Sequence, residues 1–495
     1  MNVWIVNPFD DLPHEAGRPM RYELLCRRLA ADGHGVTWWS SDFSHSTKDY
    51  RSLPPAAAAG GVPAPAPPAI RLVHTPRYRR NIGLARLRNH RLFARNWERD
   101  ARDAVGSGEL QKPDRILVSL PPLGTAGAAF RLRADWKCQV IVDIQDAWPE
   151  TFLRLLPGPQ AVRRPLGRLL LAPFFRAAAA AYRQADKVSA CAQGYLDLAA
   201  VHNTQGLRHL YYHGTDLSDR LPAREFPAQF TAQRPLRLVY AGAMGCTYGL
   251  ASAIRAVCRL NQEGLPVELH IAGRGGQESR LRKLSAALVP GRQQPCVQFH
   301  GYLTGEPFHT FLRAGDAGLL PMHPDSLVGI PNKLVDYTAA GLPVLNCLPG
   351  ETQALLARYQ AGFAYRFNDE SSLCESLAGI LRAPACRPAA AAGSARLARD
   401  CFDAARNFRD FARFIAEKIG RCRRDHQKTA RNWASRLTEC IILRAFRGGL
   451  WLWLFPACHK RHQLKHHAQP QMANLFSMDA TIPPPIRINL KHKTT

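Results

Sequence analysis

The chain has 495 residues, of which 46% are hydrophobic and 21% are charged. This is the composition of a globular protein and excludes a largely disordered one. The length predicts two domains of about 200 residues and an additional segment. The net charge of +27 indicates an anionic partner, which is nucleic acid, an acidic lipid surface or a phosphate-bearing substrate.

The cysteines and the N-terminus indicate the compartment. Thirteen cysteines are scattered without C-x-x-C spacing, and an odd number argues against a secreted disulfide framework. Residues 1–8 lead directly into a strand pattern without the features of a signal peptide. No stretch reaches 18 uncharged apolar residues, so we expect a cytoplasmic chain that does not span a membrane.

The first half of the chain alternates short apolar runs with helical periodicity, which is typical of βαβ units. Strands are predicted at 3–6 and 36–39, with a helix at 19–32 between them. A second unit has strands at 115–118 and 140–144 around a helix at 124–133.

Two segments of this half stand apart from the alternation. Residues 54–68 are almost entirely Pro, Ala and Gly, which predicts an exposed insertion. Residues 77–99 carry arginines interleaved with Leu84, Phe93 and Trp97, which predicts a basic amphipathic segment. Its two alternatives are a solvated helix face and attachment to an anionic membrane surface.

A polar and aromatic cluster follows the strand at 140–144. It contains Gln145, Asp146 and Trp148. Ligands bind at the carboxyl ends of strands in open α/β sheets, so these three residues are candidates for a ligand site.

A second alternation begins at a strand over 236–240 and continues with a helix at 250–261 and a strand at 267–271. Glycines follow both strands, at Gly242 and Gly245 and again in residues 272–276. The second turn lets the backbone approach a phosphate, and Arg274 adds charge there. The alternative is that these glycines serve only tight-turn geometry.

Residues 326–344 carry the most specific local pattern. Pro331 and Asn332 suit a helix start, residues 333–340 suit a short helix, and Gly341 suits its C-terminal end. The helix N-terminus presents partially positive N–H groups that suit a diphosphate. Asp336 lies one turn inside, where it either accepts hydrogen bonds from ribose hydroxyls or is simply an acid favoured by the helix dipole.

Six segments, taken in order, resemble glycosyltransferase family four, and within it the bacterial sugar transferases that build surface polysaccharides. The resemblance covers roughly residues 1 to 420. The segments are Gly17-Arg18 with Gly33-His34-Gly35-Val36, residues 143–150, residues 212–216, residues 240–250, residues 272–275, and residues 331–337.

The resemblance implies an α/β protein of the GT-B fold, in which two Rossmann-like doubly wound domains face each other across a cleft. Residues 1–222 are then the acceptor-binding domain and residues 223–420 the nucleotide-sugar-binding domain. Residues 421–495 form a basic tail, which is either poorly ordered or bound to a membrane surface. Within this tail, the apolar segment 441–458 is a candidate for interfacial attachment. Cys458 and the histidines that follow it, His459, His462, His466 and His467, lack the spacing of a metal site.

The implied activity is a retaining, hexosyltransferase-type transfer from a nucleotide sugar, usually a UDP sugar, that needs neither a metal nor another cofactor. Catalysis rests on positioning and on neutralising charge at the departing phosphates. The catalytic candidates are Arg274, Lys333 and Asp146. Residues implied on the donor side are Gly17, Gly242, Gly245, Tyr248, Gly273, Arg274, Pro331, Asn332, Lys333, Leu334 and Asp336, and those on the acceptor side are Gln145, Asp146 and Trp148.

The sequence departs from the family pattern at two positions that bear on the site. Val328 stands where many members have the first of two glutamates, and Gln145 stands where a histidine is frequent. The sugar-contacting role of the glutamate is therefore not carried over to position 328.

Two other classes of protein compete with this interpretation. A GT-B sugar-nucleotide epimerase would bind the same donor, although it would need no lipid acceptor. A nucleic-acid-binding protein would explain the charge of +27, although no nucleic-acid-binding motif is present. We expect a glycosyltransferase on the inner face of the cell membrane, with a nucleotide sugar, a lipid-linked or glycan acceptor and an anionic lipid surface as its partners.

Overall fold

The structure is a computed structural model that describes residues 1–15, 20–53, 69–156, 158–204, 206–217, 225–288, 295–383 and 385–418. Gly17, the 54–68 insertion and the 421–495 tail, with its 441–458 segment, lie outside the described residues. The predictions for them therefore stay predictions.

The first half of the described chain forms a parallel sheet with helices on both faces. Its strands are β1 (Asn2–Val6), β2 (Gly35–Ser41), β3 (Ala69–Val73), β4 (Arg115–Leu120), β5 (Gln139–Ile144), β6 (Lys187–Ala190) and β7 (Leu207–Leu210). Its helices are α1 (Arg21–Ala31), α2 (Leu84–Gly106), α3 (Leu123–Trp136), α4 (Gln160–Leu170), α5 (Ala172–Gln184) and α6 (Gln193–Ala200), with a 3-10 helix at Glu150–Leu155.

The second half repeats this plan with a second parallel sheet. Its strands are β8 (Leu236–Ala241), β9 (Val267–Ala272), β10 (Val297–Gly301), β11 (Ala317–Leu320), β12 (Val344–Asn346) and β13 (Gly362–Ala364). Its helices are α7 (Leu250–Gln262), α8 (Glu278–Leu288), α9 (Gly305–Arg313), α10 (Asn332–Ala339), α11 (Glu351–Tyr359), α12 (Glu370–Arg382) and α13 (Cys386–Cys401), after which comes α14 (Ala404–Ala416).

The order of the strands in each sheet indicates where a ligand site is expected. The first sheet runs β3-β2-β1-β4-β5-β6-β7 and the second runs β10-β9-β8-β11-β12-β13. In each sheet the order reverses at one place, between β1 and β4 and between β8 and β11. Loops at the carboxyl ends diverge at such a reversal and leave a crevice for a ligand. The predicted doubly wound pair of sheets is confirmed.

The basic segment predicted at 77–99 forms a helix that packs against the first sheet. The helix there is α2, and its Phe93 and Trp97 side chains are 0% exposed. They pack in the core of the first sheet, whereas Arg91 and Arg95 are exposed. Phe93 and Trp97 are therefore not available to a membrane, whereas Leu84 in the first turn of the helix is 84% exposed. No helix among the described residues combines the length and the apolarity needed to cross a membrane.

Helix α14 packs on the first domain. The predicted boundary assigns this helix, with all of residues 223–420, to the second domain. Phe408, Phe411 and Phe414 are buried in the core of the first sheet, and the Phe411 ring stacks on Tyr211 at 4.1 Å. The buried Lys187 ammonium donates to the main-chain oxygen of Glu417 at 2.6 Å. The cause is the amphipathic pattern of α14, whose phenylalanines cover the first sheet beside α1.

We expect Phe411→Ala to lower the free energy of unfolding by about 3–5 kcal/mol, because it empties a fully buried aromatic site. Chemical denaturation followed by far-UV circular dichroism measures this change. Arg409→Ala, at an exposed position of the same helix, is the control and should change stability by less than about 0.5 kcal/mol. Equal stability of the two variants would contradict the placement of α14.

Candidate active site

The turns after β8 and β9 pack backbone against backbone. Gly242 and Gly273 have φ of +145° and +140°, and the Gly242 N–H donates to the Ala272 oxygen at 2.9 Å. A Cβ atom on Gly273 would lie 1.9 Å from the Gly242 oxygen. Gly273 is therefore required by close packing, which favours the tight-turn alternative at this position. At Gly245 a Cβ atom would meet no heavy atom closer than 3.9 Å, so packing alone does not demand glycine there.

Helix α10 points its N-terminus into the crevice between β8 and β11. It begins at Asn332 after the N-cap residue Pro331, with no side-chain capping bond and no acidic residue in the first turn. The N–H groups of a first helical turn lack partners within the helix and carry partial positive charge. Leu334 is fully buried and anchors this turn, and Gly341, at φ +66°, follows the helix as predicted.

Lys333 brings a full positive charge to the same place. A Cβ atom built on Gly242 would lie 2.5 Å from the Lys333 Nζ, so the ammonium lies directly over that glycine. The Nζ is 4.4 Å from the centre of the Tyr248 ring and 5.2 Å from that of Tyr240, within the range of cation–π attraction. Burial lowers the pKa of Lys333 to about 8, against the opposing charge of Asp336.

Tyr337 fixes the direction of α10, and sequence reasoning missed it. Its buried hydroxyl accepts from the Ala241 N–H at 3.0 Å and donates to the Leu319 oxygen at 3.2 Å, which ties the helix to both β8 and β11. The ring lies against Gly318, where a Cβ atom would come within 2.5 Å of it. The signal in the sequence is this glycine in the middle of a buried strand.

Of the remaining donor-side candidates, Tyr248 contacts Lys333, whereas Arg274 and Asp336 have other neighbours. Tyr248 pairs with Met322 in a β-bridge, which joins the loop after β8 to the loop after β11. Arg274 directly follows Gly273, is exposed and has its guanidinium carbon 5.7 Å from the centre of the Tyr302 ring. Asp336 lies one turn after Lys333, is half-buried and borders α9.

A buried carboxylate, that of Asp143, joins several elements at the carboxyl ends of the strands of the first sheet. One of its oxygens accepts from the hydroxyls of Tyr22 at 2.6 Å and Tyr211 at 2.8 Å and from the Gln145 amide at 2.5 Å. Its other oxygen accepts from the Ser189 hydroxyl at 2.7 Å. The predicted acceptor residue Gln145 is thus bound into the protein at its amide nitrogen, while its amide oxygen accepts from Arg21.

Asp146 and Trp148 form a separate pair next to this network. The Trp148 indole N–H donates to the Asp146 carboxylate at 3.0 Å, and the Thr151 hydroxyl is 3.4 Å from its other oxygen. Burial raises the pKa of Asp146, and the nearby charge of Arg86 acts in the opposite direction. Asp146 is therefore a carboxylate in a partly dehydrated setting at the carboxyl end of β5.

Contacts between the domains bring this edge towards α10. The Tyr195 hydroxyl on α6 donates to the Leu327 oxygen at 2.7 Å, and the Gln193 N–H donates to the Glu351 carboxylate at 2.8 Å. Burial raises the pKa of Tyr195, and the charge of Asp146 adds to that increase. Tyr195 thus joins α6 to the loop that leads to α10.

The structure therefore assembles the candidates in two groups. Gly242, Gly273, Tyr248 and residues 331–334 meet at the reversal in the second sheet, whereas Gln145, Asp146 and Trp148 lie at the edge of the first. Val328 belongs to the loop that contacts α6 and is 37% exposed. The residues that sequence reasoning missed, Tyr337 and Tyr195 among them, connect these groups to the scaffold.

Two solved structures share the whole architecture. Sucrose-phosphate synthase from Thermosynechococcus elongatus has a TM-score of 0.59 and 15% identity, over 83% of this chain and 98% of that one. Anabaena HepE in complex with UDP and glucose has a TM-score of 0.54 and 13% identity, over 84% and 99% of the two chains. The chain has the GT-B fold, as predicted.

The second domain carries the sequence similarity. Residues 235–383 match the family of glycosyl transferases group 1. The amylovoran biosynthesis glycosyltransferase AmsK of Erwinia amylovora is 29% identical over 147 residues, which are 29% of this chain and 35% of AmsK. WcaL of Escherichia coli K12, named for colanic acid biosynthesis, is 27% identical over 149 residues, 30% of this chain and 36% of WcaL. The match thus spans about a third of the length of each of these relatives.

We expect Gly273→Ala to destabilise the second domain by about 3 kcal/mol, because the new methyl group meets backbone at a positive φ. Thermal unfolding measures the loss. Gly276→Ala is the matched control, since a Cβ atom there meets nothing within 4 Å, and it should change stability by less than about 0.5 kcal/mol. If Gly273→Ala were as stable as the control, the close packing of the two turns would be refuted.

Proposed function

We propose that this chain is a retaining glycosyltransferase that moves a sugar from a UDP sugar to a lipid-linked or glycan acceptor in the synthesis of a surface polysaccharide. The observation that carries the proposal is the Lys333 ammonium, held over Gly242 at the N-terminus of α10. It lies within a group 1 glycosyl transferase domain, at the reversal of strand order. Anabaena HepE, with the same fold, is solved with UDP, and AmsK is named for amylovoran biosynthesis.

A diphosphate would bind where these positive groups converge. The N–H groups of Asn332 and Lys333 offer fixed donors, while Lys333 and Arg274 offer charge. Asp336 would accept hydrogen bonds from the ribose hydroxyls. As the bond between sugar and diphosphate breaks, negative charge grows on the phosphate oxygens, and donors that are already oriented stabilise it without rearrangement.

The acceptor would lie against the first domain. Asp146, held by the Trp148 indole, would accept a hydrogen bond from the acceptor hydroxyl and orient it towards the sugar. The new bond forms between this hydroxyl oxygen and the anomeric carbon, and the hydroxyl proton leaves with the diphosphate. No protein nucleophile is required, because positioning and charge supply the catalysis.

We expect UDP to bind the wild type and to take up protons in doing so at pH 8.5. The diphosphate favours charged Lys333 and raises its pKa from about 8, so UDP affinity should fall as the pH rises above about 8. Titration calorimetry in two buffers of different ionisation enthalpy measures the uptake. Lys333→Gln should weaken binding at least about tenfold and abolish the uptake.

Arg382→Gln, at an exposed position of the same domain, is the control for a lost charge and should bind UDP like the wild type. The activity itself is tested by incubating the wild type with UDP sugars and a lipid-linked acceptor and detecting the glycosylated product. UDP binding that is unchanged in Lys333→Gln would remove the basis of the proposed donor site.

We further propose that the protein acts in the cytoplasm, on the inner face of an anionic membrane, and that α4 contacts that membrane. Its apolar side chains point outward, with Val162, Leu166, Leu169 and Leu170 exposed by 60%, 51%, 73% and 62%. The helix packs instead through Gly167, where a Cβ atom would come within 2.6 Å of Leu153 and Leu156.

Charge favours a lipid surface over an apolar protein partner for this helix. Residues 151–185 contain several arginines and no acidic residue. An exposed apolar stripe beside arginines is typical of helices that lie in the interface of anionic membranes.

We expect the double variant Leu166→Asp with Leu169→Asp to bind phosphatidylglycerol vesicles at least about tenfold more weakly than the wild type, because two apolar anchors are lost. Vesicle co-sedimentation measures binding, which should also weaken in 0.5 M salt. Val201→Asp, at a position exposed by 76% immediately after α6, controls for added charge. Retained binding by the double variant would exclude α4 as the membrane contact.

A further inference from the structure

A carboxylate of the second domain caps a helix of the first. Helix α6 begins at Gln193 after Ala192, with no side-chain capping bond and no acidic residue in its first turn. The Gln193 N–H donates to both oxygens of the Glu351 carboxylate, at 2.8 and 3.0 Å. Glu351 is the first residue of α11. An N–H group that has no partner within its own helix is therefore satisfied from the other domain.

The same carboxylate joins two further parts of the chain. The hydroxyl of Tyr212, which lies between the last strand of the first sheet and the first strand of the second, donates to it at 2.7 Å. The other part is the loop that precedes α10, residues 326–331, which we call the α10 loop. A Cβ atom built on Gly329 of this loop would lie 3.3 Å from the Glu351 Oε2. Glu351 thus lies where α6, the connection between the domains and the α10 loop meet.

The main chain of the α10 loop is held from both domains. The Tyr195 hydroxyl of α6 donates to the Leu327 oxygen at 2.7 Å. The Thr352 hydroxyl of α11, which is fully buried, donates to the Gly329 oxygen at 2.8 Å. The loop ends at Pro331, the N-cap residue of α10. The first domain therefore bonds directly to the segment that leads into the proposed donor site.

Gly329 is a glycine because of the first domain. Its φ lies outside the positive region, so its backbone conformation does not itself require glycine. A Cβ atom at this position would lie 2.4 Å from the Cβ atom of Ala192, at the N-terminus of α6. The absence of a side chain therefore lets the α10 loop approach α6 closely, and any side chain here would push the two apart.

We propose that this contact aligns the donor and acceptor halves of the active site, with Tyr195 and Glu351 as positioning residues. The inference rests on the proposed glycosyltransferase function. The start of α10 would hold the diphosphate, and Asp146, whose charge acts on Tyr195, would hold the acceptor hydroxyl. Helix α6 and the α10 loop join these two halves. A misplacement of about 1 Å between reacting groups is enough to slow a reaction about a hundredfold.

An exchange of glycine and alanine across the contact tests it. Gly329→Ala should separate the α10 loop from α6, because the new methyl group meets that of Ala192. In the double variant with Ala192→Gly that methyl is gone, and the nearest atom is the Glu351 Oε2 at 3.3 Å. Hydrogen exchange of the loop amides, measured by mass spectrometry, should be at least about tenfold faster in Gly329→Ala and close to the wild type in the double variant. Residues 334–339 of α10 should exchange as in the wild type, since Tyr337 ties this helix to β8 and β11.

Two further variants remove the hydrogen bonds and test their effect on transfer. Tyr195→Phe and Glu351→Leu should each speed exchange in the α10 loop and lower kcat for a UDP sugar and a lipid-linked acceptor about tenfold or more. The Kd of UDP should stay within about twofold of the wild type, because UDP touches only the donor half. Glu351→Gln keeps one acceptor oxygen and should restore most of kcat. Tyr50→Phe is the control, since it removes a hydroxyl that donates to the Thr75 oxygen at 3.2 Å elsewhere in the first domain, and it should change neither exchange in the loop nor kcat.

The measurements separate the contact from the proposed function. Exchange in the α10 loop that is as slow in Gly329→Ala and Tyr195→Phe as in the wild type would overturn the contact. Faster exchange with an unchanged kcat would overturn its role in alignment. Unfolding temperatures verify that the variants are folded, and these two conservative variants decide the question if Glu351→Leu does not fold. A wild type that binds no UDP would count against the proposed donor site, whereas the exchange measurements need no ligand and still decide the contact.

Discussion

The position of the Lys333 ammonium over Gly242 is the constraint on which the second domain's site depends. No side chain fits at Gly242 without displacing the ammonium, and none fits at Gly273 without displacing Gly242 itself. The backbone of the turn after β9 therefore packs against the backbone of the turn after β8. The Lys333 side chain lies over the second of these turns. If Lys333 binds a donor diphosphate as proposed, its charge already lies over the turn after β8 before the ligand arrives, which is the preorganisation that electrostatic catalysis needs. Tyr337 completes the arrangement by binding α10 to both strands beneath it.

In the first domain, the candidate residues are positioned by side-chain hydrogen bonds instead of by backbone packing. Asp143 is fully buried and accepts hydrogen bonds from side chains on α1 and β6, from Tyr211 directly after β7, and from Gln145. Such a network is stable only when every member is satisfied, so it ties the carboxyl end of β5 to its neighbours. Asp146 directly follows Gln145, a member of this network, and Trp148 lies two residues further along the chain. One domain thus holds its site by close backbone approach, and the other by a buried hydrogen-bond network.

The parts of this protein that could be predicted from sequence are those whose signals are local. The βα units and the start of α10 at Asn332 follow from apolar runs, proline and glycine that lie within a few residues of each other. Contacts between distant residues left no such signal, as with Tyr211 on Asp143 or α14 on the first sheet. Amphipathic periodicity predicts a helix but leaves open whether its apolar face packs against the core or faces outward. Both α2 and α4 carry apolar and basic residues, and the pattern does not say which apolar face meets the core. Phe93 and Trp97 of α2 are buried, whereas Leu169 of α4 is exposed, because α4 is seated through Gly167.

The sequence match covers the second domain and not the first, and this difference is consistent with the different ligands that the two domains would bind. Similarity to the group 1 glycosyl transferases is confined to residues 235–383, although the fold similarity covers more than four fifths of the chain. If the second domain binds a nucleotide diphosphate, its glycines, Lys333 and the start of α10 face a chemical group common to many donors. The first domain, with Asp146, Trp148 and α4, would face the acceptor and the membrane, which differ from one pathway to another. Function resides in such sites rather than in the fold. If the proposed function is correct, we therefore expect the residues around Asp146 and Trp148, rather than those around Lys333, to determine the particular reaction of this protein.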